Sequence, residues 1–273
     1  MKRFFANLGK AVLYCLAFLF FQVLAVYGLT AVQVLLSFFG GMGLGMGAAV
    51  WIGDNMVALS TLLSCALTYL GLWMFFVLRR KHLSREVGFA RLPKPLSAIP
   101  APFCAGFGLC ILSTFLISYI PIPQSWADSY EVYSGSIVSG EMWLTVIATT
   151  FCAPLAEELI FRGLIYTRLR RGMPVGIAAL LSALAFGALH GTMLHLLYTI
   201  PMGIILCLFY EKYRSLWAPV LLHMGFNLCG CVLGYYPMDT VGMIVGFLCI
   251  GAYLTVIGFV MMGWYRRERR EVE

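Results

Sequence analysis

Apolar residues in this chain run in blocks rather than alternating. Blocks at 11–39, 56–78, 98–120, 142–167, 174–190, 193–210, 216–235 and 241–263 are separated by short polar or glycine-rich connections. An α-helix needs about 20 predominantly apolar residues to cross the hydrocarbon core, and these blocks are of that order. Barrel strands would be about half as long and would alternate lipid-facing with lumen-facing residues. The pattern therefore predicts an all-α, polytopic membrane bundle of about eight transmembrane helices. No period of 20–50 residues recurs and no inverted symmetry is visible, so 1–273 reads as a single transmembrane domain.

Composition sharpens this picture. The chain is 61% hydrophobic and 11% charged, against about a quarter charged in a soluble domain. Its net charge of +7 would suit nucleic acid if the cations were clustered. They are instead sorted by connection. Taking the connections alternately as outside and inside, all Lys and Arg except Arg162 fall at the N-terminus, after the second, fourth and sixth blocks, or at the end of the sequence. Asp54, Asp128, Glu131, Glu141 and Asp239 fall on the other side. Lys and Arg bias sets orientation, so both termini are expected in the cytoplasm and the partner is the lipid bilayer, with no nucleic acid. The first block is too long for a cleavable signal and reads as an uncleaved span. The nine cysteines lack paired zinc spacing and sit mostly in apolar blocks, as small buried hydrophobes. GGMGLGMG (40–47) lacks the GK[ST] of a phosphate loop and follows no strand, so it reads as a flexible connector.

Against this apolar background, APLAEELIFRGLIY (153–166) raises a question, because it carries Glu157, Glu158 and Arg162. An ionisable group in hydrocarbon costs at least about 2.5–3.5 kcal/mol on insertion scales. Glu158 and Arg162 are i,i+4 and can pair, while Glu157 points about 100° away. That leaves Glu157 as the carboxylate with a free task, a candidate general base. His223 and Asn227 are also i,i+4 and present donors on one helix face, which suits a developing oxyanion. Phe186 and His190 repeat the spacing, so the ring can fix the imidazole, and His190 can share a water with Glu157. A Glu–Arg pair alone can be interhelical glue. His195, beside a short outer turn, is assigned to structure and His82 to solvent. Counted along helices from the basic end, Glu157, His223 and Asn227 lie about 15, 10 and 16 Å deep and His190 about 25 Å. These depths suit a cavity entered from the cytoplasmic side.

Glu157-Glu158-Leu159-Ile160-Phe161-Arg162, Phe186 to His190, and His223-Met224-Gly225-Phe226-Asn227 resemble, in order, the EExxxR, FxxxH and HxxxN motifs of the CPBP family of intramembrane proteases. That family contains CAAX prenyl endopeptidases and bacteriocin-processing, Abi-type proteins. The resemblance covers about 142–235, implied as the catalytic core, with the spans in 11–120 accessory. It implies an intramembrane endopeptidase in which Glu157 and His190 activate water, and His223 and Asn227 stabilise the oxyanion. Glu158, Arg162 and Phe186 support the site. SLWAPVLLH (215–223) is similar to bacterial members, which implies the bacterial cytoplasmic membrane and a peptide-precursor or membrane-protein substrate. Family members have been described as metalloproteases, and Glu157, His190 and His223 would be the ligands of a divalent metal such as zinc. HExxH is missing from the sequence, and a reaction without metal is the expectation. The alternative is a bacteriocin-immunity or scaffolding protein of the same fold, and a proton-coupled transporter is disfavoured by the lack of symmetric halves.

Overall fold

A computed structural model describes residues 2–40, 44–89, 99–236 and 240–272. It contains eleven helices and, among the described residues, no strand. In chain order these are α1 (Lys2–Phe39), α2 (Leu44–Asp54), α3 (Met56–Leu78), α4 (Leu83–Glu86), α5 (Pro100–Ser118), α6 (Gln124–Val138), α7 (Met142–Arg170), α8 (Val175–Ala188), α9 (Met193–Tyr213), α10 (Trp217–Tyr235) and α11 (Val241–Val272). Parts of the expected connectors at 40–47 and 79–95, and Asp239, lie outside the described residues.

Seven of these helices, α1, α3, α5, α7, α9, α10 and α11, are long and apolar enough to cross a membrane, and the protein is an integral membrane protein. The block expected at 174–190 forms α8, whose 14 residues rise about 21 Å, short of the hydrocarbon thickness. The helix stops at Ala188, and Gly191 (φ 81°) turns the chain back into α9, a left-handed conformation that favours glycine. Two helices stand where connections were expected. α2 forms from the glycine- and alanine-rich stretch after 43, and α6 from QSWADSYEVYSGSIV. α6 packs against α9 and α10.

The burial pattern reflects the bilayer. α1 and α11 expose rows of Leu, Val, Ile and Phe, as lipid-facing helices do, while α7 is the most buried span. Its apolar side chains Leu159, Ile160, Phe161, Leu164, Ile165 and Tyr166 form the main core with Phe18, Phe76, Phe186, Cys207 and Val220. With no hydrophobic drive between helices inside lipid, close backbone approach matters more. α5 and α10 achieve it through Gly106, set against the Leu222 carbonyl, and Gly225, set against the Phe103 carbonyl.

α7 is not a regular helix. Val146–Cys152 and Leu159–Tyr166 hydrogen-bond i→i+5, on either side of the regular turn Ala153–Glu158. Such widened turns redirect carbonyls that an α-helix would keep to itself. Thr149 O accepts from Asn227 Nδ2 (2.8 Å) and Phe161 O from Ser182 Oγ (3.1 Å). Each widened segment thereby ties α7 to a neighbouring helix, α10 in one case and α8 in the other.

Candidate active site

Glu157 and Glu158 close the regular turn of α7. Arg162 Nη1 donates to Glu158 Oε1 at 2.7 Å, with both side chains wholly buried, so the i,i+4 pair forms as its spacing suggests. Arg162 Nη2 also donates to Gly203 O of α9 (3.2 Å), and its guanidinium lies 4.5 Å from the centre of the Phe186 ring. Phe186 thus faces a cation on one side and packs near His223 (5.7 Å) and His190 (4.4 Å). This is tighter than a ring merely bracing one imidazole.

Hydrogen bonds fix the histidines. His190 lies two residues beyond the end of α8, and its Nδ1 is 2.8 Å from Phe186 O. A carbonyl only accepts, so Nδ1 carries the proton and Nε2 of the neutral ring is an acceptor. His223 Nδ1 is 2.9 Å from Glu158 Oε1, already the partner of Arg162, so Nδ1 donates there as well. Its Nε2 lies 3.7 Å from Glu157 Oε2. His223 therefore bridges the two glutamates, a contact that spacing along single helices did not reveal. Asn227 commits one Nδ2–H to Thr149 O, which leaves the second for the interior.

Glu157, His190, His223 and Asn227 all line one cavity of about 680 Å³, with Phe186 in its wall; Glu158 and Arg162 lie behind it. Helices before residue 142 contribute too, through Phe18, Thr61, Ser64, Cys65 and Cys110. His195 lines the same cavity. Its Nδ1 is 2.7 Å from Thr192 Oγ1, the N-cap of α9, and its ring lies within about 5 Å of the Tyr130, Tyr133 and Tyr198 rings. The rings of His190 and His195 are 6.2 Å apart. The sequence offered two faint signals for this cluster, a Thr-x-x-His capping interval and a Tyr pair at i,i+3 in a polar stretch.

The exposed part of the lining lies elsewhere than the depths suggested. The lining residues that are also exposed are Thr114, Glu131, Tyr133, Gly135, Gly230 and Gly234. All stand at the end of the bundle opposite the Lys- and Arg-bearing connections, not at the cytoplasmic-side end inferred from residue counts. Counting along helices measures rise but not which walls part.

A metal was the other expectation for this site. Among the described residues, no three His, Cys, Asp or Glu side chains converge closely enough to hold an ion.

Residues 139–229 of the 273 match the family model described as type II CAAX prenyl endopeptidase Rce1-like. That window contains every candidate residue above. Over 95 residues the chain is 28% identical to a Bacillus subtilis (strain 168) protein named "Putative membrane peptidase YdiL". The alignment covers 35% of this chain and 39% of that protein, so the chain spans well under half of the relative's length. No solved structure matches the chain. From α7 through most of α10, the part that holds Glu157, His190, His223 and Asn227, the chain is similar to CPBP-type, Rce1-like membrane peptidases, as its motifs indicate.

Proposed function

We propose that the protein is an intramembrane endopeptidase that hydrolyses a peptide bond with water activated by Glu157 and His190. The observation that carries this reading is the convergence of Glu157, His190, His223 and Asn227 on one cavity. Glu157 takes a proton from the water as its oxygen bonds to the scissile carbonyl carbon. His190, with Nδ1–H spent on Phe186 O, presents Nε2 as an acceptor that orients the same water. The tetrahedral oxygen becomes anionic and receives the second N–H of Asn227. His223 adds a donor at Nε2 only when its ring is doubly protonated, because Nδ1–H is held by Glu158. The C–N bond then breaks as the proton held on Glu157 passes to the departing nitrogen, leaving a new carboxylic acid and a new amine, between which the remaining proton of the water redistributes.

The substrate class is a peptide precursor or membrane-protein segment. An immunity or scaffolding protein would use these side chains for packing. Glu158 and Arg162 are placed as packing groups would be, but Glu157 is turned into the cavity with 17% of its side chain exposed. Cells carrying the wild-type chain and cells carrying Glu157→Gln should differ in their N-terminal peptide inventories and secreted peptides. The expected result is a set of new N-termini present in the first and lost in the second, with equal amounts of folded protein in the membrane. Identical inventories would refute the reading.

A further inference from the structure

The two ends of the bundle differ in how they are closed. At the basic end, Glu211 binds Tyr166 Oη (2.9 Å), Arg170 Nε (3.1 Å) and Arg214 Nη1 (2.9 Å), fastening α7 to α9. None of these residues lines the cavity. At the opposite end, every exposed lining residue belongs to α5, α6 or the last turns of α10. α6 is held over the cavity as a fixed wall, because the Tyr130 and Tyr133 rings pack 5.0 and 4.8 Å from His195. The lining includes Glu131 and Glu157 but, among the described residues, no Lys or Arg. Beside exposed Glu131 stand Tyr130 and Tyr133, with Tyr198 across from them. Aromatic faces within about 6 Å of a cation attract it, and a carboxylate at the same rim adds to that attraction.

We propose that the cavity is loaded from the end opposite the basic connections, through a mouth framed by α5, α6 and α10. We further infer that this mouth takes a peptide segment bearing a Lys or Arg side chain. The proposal rests on the endopeptidase reading and names how its substrate enters and what it carries.

Entry can be read without turnover. Gly135 on α6 and Gly230 on α10 line the mouth, and an added Cβ at either position meets nothing within 4 Å. Gly135→Cys and Gly230→Cys variants of the full chain, in intact cells and in inverted vesicles, are treated with membrane-impermeant methanethiosulfonates, one trimethylammonium and one sulfonate. Adducts are located by peptide mass spectrometry, and rates are normalised to each reagent's rate with a small free thiol. A Lys81→Cys variant reports the basic face. The expected result is modification at 135 and 230 from the face that leaves the Lys81→Cys thiol untouched. The cation should react about tenfold faster than the anion, as for opposite unit charges passing within about 6 Å of one carboxylate in water. Glu131→Gln should bring that ratio close to one. Modification only from the face that labels the Lys81→Cys variant, or at neither position, would overturn the proposal. So would a charge preference unchanged by Glu131→Gln. Should one cysteine variant fail to fold, the other decides. Because labelling needs no catalysis, failure here is distinct from Glu157→Gln cells cleaving normally.

Discussion

Arg162→Met offers the clearest quantitative test of how the site is held. In the wild-type chain, the Glu158 and Arg162 side chains are both fully buried and 2.7 Å apart. Among the described residues, Arg162 Nε and Glu158 Oε2 nevertheless have no hydrogen-bond partner, so desolvation is not fully repaid and the pair itself should add little net stability. Breaking it is another matter. Methionine fills similar space but leaves Glu158 charged in a dry interior, with His223 as its remaining partner. Loss of one member of a buried pair costs about 3–5 kcal/mol. The charged hydrogen bond to Gly203 O is lost with it, which keeps the cost well inside that range. A loss of about 4 kcal/mol lowers the folded-to-unfolded ratio roughly a thousandfold. Adding Glu158→Gln removes the stranded charge, and the double variant should regain about 2–3 kcal/mol over additivity, as residues sharing one network do. The measurement is reversible unfolding in mixed micelles, followed by tryptophan fluorescence for the four members of the cycle. A loss below about 1 kcal/mol for Arg162→Met, or additive single effects, would refute the reasoning.

Other outcomes follow from the same geometry. Asn227→Ala should lower kcat about a hundred- to a thousandfold, the range for one oxyanion donor, with a smaller change in KM, measured on a peptide identified from the Glu157→Gln comparison. Gly225→Ala drives a methyl group onto the Phe103 carbonyl and should cost about 1–3 kcal/mol in the same unfolding assay. Exhaustive chelation should leave turnover unchanged, checked with elemental analysis of the purified protein; stoichiometric zinc required for activity would refute the residue-only mechanism.

The spans were legible because the bilayer demands long apolar helices, and α1, α3, α7 and α10 follow their blocks to within a few residues except at the N-terminal end of α1 and the C-terminal end of α7. The Glu158–Arg162 pair was legible because both members lie on one turn. The missing parts are those fixed across the sequence. His223 bridging Glu157 and Glu158 joins positions 65 residues apart, and no periodicity announces it. α6 is polar and rich in Ser, so its helical state depends on seating against α9 and α10 rather than on propensity. His195 lacked a carboxylate or amide at helical spacing, and two of its ring neighbours, Tyr130 and Tyr133, arrive from more than 60 residues upstream. The end at which the cavity opens depends on how helix ends diverge, which residue counts along each helix do not contain.

The widened turns of α7 constrain how this helix can change over time. Deleting one residue between 146 and 152 would restore an ordinary α-turn there and take back the Thr149 carbonyl that the widened turn frees for Asn227. The residue count of α7 between Thr149 and Ser182's partner Phe161 is therefore fixed, so descendants of this chain should vary there in their apolar side chains and not in length.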